Sequence, residues 1–147
     1  MREDYVRRFE AALNTTDGGP FDVIVCPVTS LPAWTHGSSG MLGSGGVYCG
    51  LWNLLGYPAG VVPVTRVRED EAVARASSRD LIERAARTVE LGSVGLPMGV
   101  QVAARPWQEH IALAAMRAIQ EAARGREGYP ATPISPPKPK SEQDDEG

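Results

Sequence analysis

The chain has 147 residues, 42% of them hydrophobic and 22% charged, and a formal net charge of −3. That length suits one ordinary domain, and the slight acidity removes any electrostatic case for nucleic acid. No stretch approaches the ~18 apolar residues of a membrane span.

Residues 1–13 place Tyr5, Val6, Phe9, Ala12 and Leu13 at helical spacing among Arg2, Glu3, Arg7 and Arg8. This predicts an amphipathic helix stopped by Gly18-Gly19-Pro20; a charged, helical start of this kind does not read as a secretory leader. Residues 23–26 (VIVC) are apolar at successive positions. They predict a strand covered on both faces, ended by Pro27, which has no N–H to give a ladder. Residues 29–46 are read as loop. Residues 47–55 (VYCGLWNLL) predict a short helix that runs into a turn at 56–58.

Residues 59–64 (AGVVPV) predict a second buried strand, broken at Pro63. The charged, alanine-rich stretch 66–77 is a surface excursion. Ser77 and Ser78 are candidate N-caps for a helix carrying Leu81, Ile82, Ala85, Ala86 and Val89 on one face and stopping at Gly92. Residues 97–103 (PMGVQVA) predict the third strand. Pro106 or Trp107 opens the last helix, with Ile111, Ala115, Ile119 and Ala122 in register and Gly125 past its end. Beyond Tyr129 the chain is rich in Pro and charge, which predicts a disordered tail. The expected organisation is one lobe over residues 1–128 and a tail over 129–147. Strands greasy on both sides need helices above and below. The expected fold class is therefore α/β, a partial mixed sheet flanked by helices.

The segment His36-Gly37-Ser38-Ser39-Gly40 has parts of a serine hydrolase: hydroxyls, a nearby base and glycine N–H groups for an oxyanion. It lacks the G-x-S-x-G elbow, and a loop of turn residues accounts for it. His110 reads as a surface residue near a helix start. Two histidines and two scattered cysteines give no ligand spacing, so no metal or other cofactor is implied. Cys26 and Cys49 each stand in an apolar run and read as free, packed thiols of a reducing, cytoplasmic setting. Trp52 and Trp107 read as packing. Trp34 differs, because it lies in the loop leaving the carboxyl end of a strand, where open α/β sheets bind ligands. The proline-lysine run 136–140 has polyproline II composition, although a solvated tail accounts for it.

Three blocks, residues 21–27 (FDVIVCP), 51–67 (LWNLLGYPAGVVPVTRV) and 93–117 (SVGLPMGVQVAARPWQEHIALAAMR), resemble in order the closing part of amidase-signature enzymes. The similarity is greatest to the fatty-acid-amide-hydrolase type and covers about residues 1–125. It implies a mixed-sheet α/β fold and hydrolysis of carboxylic amides, fatty-acid amides among them. The catalytic set of such enzymes is a lysine, a serine held by a cis peptide and a nucleophilic serine. The resemblance places that set before residue 1, so no catalytic residue is carried over to this chain; Ser38 and Ser39 fall downstream of it. The resemblance carries over one role: Val28, Thr29, Leu31 and, with a loop of different length, Trp34 would wall the acyl side of the substrate channel. The expected partner is the missing N-terminal amidase portion, with a small-molecule amide as substrate of the intact enzyme. Two other readings stay open, a lobe that docks onto and completes a partner amidase half, and a small independent hydrolase using Ser38 or Ser39 with His36.

Overall fold

The structure, a computed structural model, describes residues 1–15 and 18–129. The expected tail therefore lies, Tyr129 apart, outside the described residues. The element order is α1 (Arg2–Asn14), β1 (Val23–Pro27), α2 (Ser39–Leu42), a 3-10 turn (Gly43–Gly46), α3 (Val47–Leu55), β2 (Ala59–Arg66), α4 (Leu81–Leu91), β3 (Pro97–Ala104) and α5 (Glu109–Ala123). The chain is α/β, with helices flanking a three-stranded sheet of order β1-β3-β2. Both pairings are antiparallel.

β3 is the central strand, and its Val102, Ala103 and Ala104 are all but inaccessible. Residues opposite one another in register share a face of the sheet. Gln101 and Cys26 are opposite, as are Ala103 and Ile24, and these side chains lie beneath α3 and α1. There Trp52, Leu55, Tyr57 and Ala103 form a core closed by Val6, Phe9 and Leu13 of α1. Phe9 meets the Trp52 and Tyr57 rings edge-on, with centroids 6.4 and 5.9 Å away. Such contacts add to the apolar area buried by each ring. Val102 and its partner Gly60 face the other way, toward α5. A second core joins Leu31, Leu42, Ala86 and Val89, with Trp34 and Ala85 against them, and so ties α4 to the segment after β1.

The helix at 47–55 has the predicted bounds and ends in a left-handed Gly56 at φ 73°, where a side chain would be strained. Elsewhere the structure corrects the expectations. β1 is not covered on both faces: Val25 is 52% exposed, because α5 packs chiefly on β2 and β3 and barely reaches the outer strand. Residues 39–46 are not open loop but helical turns, in which Leu42 supplies a buried anchor that the glycines around it obscure. β2 runs through Pro63 to Arg66, and the ladder absorbs the missing N–H with a register shift between Pro63 and Thr65. The cap of α4 is Asp80, whose carboxylate accepts from Ile82 N at 2.8 Å and Glu83 N at 3.0 Å. Ser78 instead accepts from Asp80 N. α5 opens at Glu109 rather than at Pro106 or Trp107, since Trp107 stands at φ 67°, outside the helical region.

The excursion before α4 is held by Arg75, which donates from Nε and from a terminal nitrogen to Glu90 Oε1 at 2.9 and 2.7 Å. This pairing draws the Glu90 carboxyl below its usual range, chiefly through the hydrogen bond.

Candidate functional site

β1 ends at Pro27 and the chain turns away from the sheet. At this point a cavity of about 390 Å³ opens between the carboxyl end of β1, the loop that follows it, and the start of β3. One wall is Pro27, Val28, Thr29, Leu31, Pro32, Ala33 and Trp34; the other is Val61 of β2 with Pro97, Met98 and Gly99 of β3. No titratable side chain is among these residues. The lining is that of a site for an apolar group, with few polar atoms to fix it.

All four expected residues, Val28, Thr29, Leu31 and Trp34, line this one cavity. The Thr29 hydroxyl donates to the Leu31 carbonyl and accepts from Leu31 N, so its proton is used within its own turn. Leu31 reaches down into the second core and is only 8% exposed. The Trp34 ring packs on that same core, while its indole N–H is buried without an acceptor among the described residues. A buried unpaired donor costs about 1–3 kcal/mol. The loop is braced from behind, with Ser30 N donating to the Gly45 carbonyl at 3.3 Å. A side chain at Gly45 would place its Cβ 2.7 Å from Ser30 Oγ and 3.2 Å from the Trp34 ring. A side chain there would require the Ser30 hydroxyl to turn aside and the Trp34 ring to give by a few tenths of an ångström.

A relay of hydrogen bonds lies behind the wall. Gln101, 5% exposed, accepts from Trp52 Nε1 at 3.1 Å. Its Nε2 donates to Cys49 Sγ at 3.8 Å, and the Cys49 thiol donates to the Val28 carbonyl at 3.2 Å. Both cysteines are free and partly buried.

The serine segment is arranged differently. The Ser38 hydroxyl donates to the Thr35 carbonyl at 2.7 Å. His36 is exposed, and among the described residues no hydrogen bond joins it to Ser38 or Ser39. His110 is exposed on the first turn of α5. Among the described residues no group of three His, Cys, Asp or Glu side chains stands where it could hold a metal, and no helix is long and apolar enough to cross a membrane. The Tyr57 hydroxyl is pushed up by burial and, less, by Glu10, against the opposing pull of Arg105; it belongs to the aromatic core.

Sequence reasoning missed Val61, Pro97, Met98 and Gly99. The signal would have been the antiparallel pairings of β3 with β1 and with β2, which set the end of β1 and Val61 of β2 beside the start of β3. Apolar runs do not encode that order.

Comparison with known proteins bears on this arrangement. The amidase family model matches residues 1–113. The chain is 41% identical over 108 residues to fatty acid amide hydrolase 1 of Caenorhabditis elegans, covering 71% of this chain and 19% of that protein. It is 39% identical over 103 residues to fatty-acid amide hydrolase 1 of Sus scrofa, covering 67% of this chain and 18% of that protein. The chain spans about a fifth of the length of these curated relatives.

Proposed function

Because the chain belongs to the amidase family, we propose that it forms the acyl-side wall of an amidase acting on carboxylic amides, long-chain amides foremost, and that catalysis is carried outside these 147 residues. The single observation that carries this is the convergence of Val28, Thr29, Leu31 and Trp34 on one apolar cavity with no titratable group in its lining. A cavity of this kind holds a hydrocarbon chain by area burial, at about 25 cal/mol per Å², and supplies no base or nucleophile. The lysine and the two serines of the family's chemistry belong to the N-terminal amidase portion, which is the expected partner. There the lysine takes a proton through the bridging serine and the nucleophile attacks the amide carbon.

The test is complementation. The purified chain alone should neither hydrolyse a long-chain primary amide nor be labelled by a fluorophosphonate. Co-expressed with the N-terminal portion of a fatty acid amide hydrolase, it should restore turnover. Serine labelling with turnover by the chain alone would overturn the reading.

A second reading, a lobe that completes a partner's sheet, is favoured by the bare side of β1. Phe21 and Val25 are half exposed there, and β1 is an edge strand with one side unpaired among the described residues. Exposed strand edges pair readily with another chain.

A further inference from the structure

We propose that Cys49 and Gln101 are positioning residues that set the acyl-length preference of the cavity by fixing the Val28 carbonyl. This rests on the reading of the cavity as an amide-chain site.

The relay has a fixed direction. An indole N–H is a donor only, so the Gln101 amide must present its oxygen to Trp52 Nε1. That turns Nε2 toward Cys49 Sγ. With its sulfur accepting from Nε2, the thiol proton is directed to the Val28 carbonyl. Cys26 stands opposite Gln101 in the β1–β3 register, and its Sγ lies 3.8 Å from the same amide oxygen. Each group in the series is therefore oriented by the one before it.

Where the relay ends is what gives it a role. Val28 is the first residue beyond β1, so its carbonyl is outside the ladder to β3. Its partner is Cys49 of α3, and Cys49 and Trp52, three residues apart on that helix, both face the sheet. Val28 also lines the cavity, as do Met98 and Gly99 from the strand that carries Gln101. The amide at the centre of β3 thus ties one wall of the cavity to the other. Release of the Val28 carbonyl frees the loop wall to move away from Met98 and lengthens the space. Neither thiol forms or breaks a bond with substrate in this role.

The experiment uses the full chain labelled with carbon-13 at valine carbonyls, titrated with saturated primary amides of graded chain length. The wild type should bind one length best. Cys49→Ala should shift the Val28 carbonyl resonance without ligand, flatten the length preference and weaken binding of the preferred amide about five- to tenfold, the loss expected for one hydrogen bond. Cys49→Ser, which keeps a donor and an acceptor, should restore both readouts. If the alanine variant does not fold, Cys49→Val fills the volume of the sulfur with carbon and carries the same test. A folded variant with an unmoved Val28 resonance and an unchanged length profile overturns the proposal. Failure of the wild type to bind any amide overturns the site reading and the length preference with it; in that case the Val28 resonance still reports whether the relay positions the wall.

Discussion

Two glycines in the sheet make opposite demands on a methyl group, and the contrast tests the packing described above. At Gly99 an added Cβ would lie 2.9 Å from the Val62 carbonyl oxygen and 3.0 Å from Val61 Cγ1. The oxygen belongs to the paired strand and cannot retreat without opening the ladder. At Gly60 the nearest atoms are Met116 Sδ at 2.5 Å and Cε at 2.7 Å. These are nominally worse contacts, but they are the far end of an unbranched side chain that can turn aside. Neither glycine needs a positive φ, so replacing each by alanine stabilises by about 0.4–1 kcal/mol through the unfolded chain. Overpacking against fixed atoms costs about 1–3 kcal/mol, whereas moving a methionine off its rotamer costs about 0.5–1.5 kcal/mol. Gly99→Ala should therefore destabilise by about 1–2 kcal/mol, and Gly60→Ala should stay within about 1 kcal/mol of neutral. Urea unfolding of the two variants followed by circular dichroism measures the difference. Equal loss in both, or a neutral Gly99→Ala, would refute the argument that backbone rigidity rather than distance decides the outcome.

Trp52→Phe leaves the Gln101 oxygen with only the 3.8 Å Cys26 contact and should cost about 1–3 kcal/mol; adding Gln101→Leu should recover part of that loss, read by a double-mutant cycle in denaturation. Asp80→Ala removes both cap hydrogen bonds of α4 and should cost about 1 kcal/mol, with Asp80→Ser retaining most of the stability in the same melts. The Glu90 carboxyl titrates below its usual 4.5 in the folded chain, so the stability it adds is complete above that value and is lost as pH falls through the lowered one. Thermal midpoints of wild type and Glu90→Gln should accordingly differ most near neutrality and converge in acid. A difference that grows as pH falls would contradict the assigned sign.

The helix at 81–91 was legible because its apolar residues recur at helical spacing and Gly92 stops it, and the helix at 47–55 was legible as a short apolar run that leads into the turn at 56–58. The strands were legible as runs of valine and its neighbours. Their faces were not, since an apolar run states that a strand can be buried and not that anything covers it. Val25 shows the difference: α5 lies over β2 and β3, and nothing local to VIVC announces that. Ser77 and Ser78 have cap chemistry in the sequence as Asp80 does, and what decides between them is which side chain reaches two free N–H groups. Val28, Thr29 and Leu31 came from likeness to a family rather than from physics, whereas Trp34 was also marked by its place in the loop leaving the carboxyl end of a strand. Met98 across the cavity required the pairing of strands some seventy residues apart in sequence, and Val61 required that of β2 with β3.

The three indoles occupy three different surroundings, and this makes the molecule its own optical probe. Trp52 is 4% exposed between two other rings, Trp107 is 89% exposed before α5, and Trp34 stands half covered beside the cavity. Their emission should therefore separate by colour and by access to a quencher in water, the innermost bluest and hardest to reach. A hydrocarbon entering beside Trp34 would change the middle component and leave the outer two as internal standards.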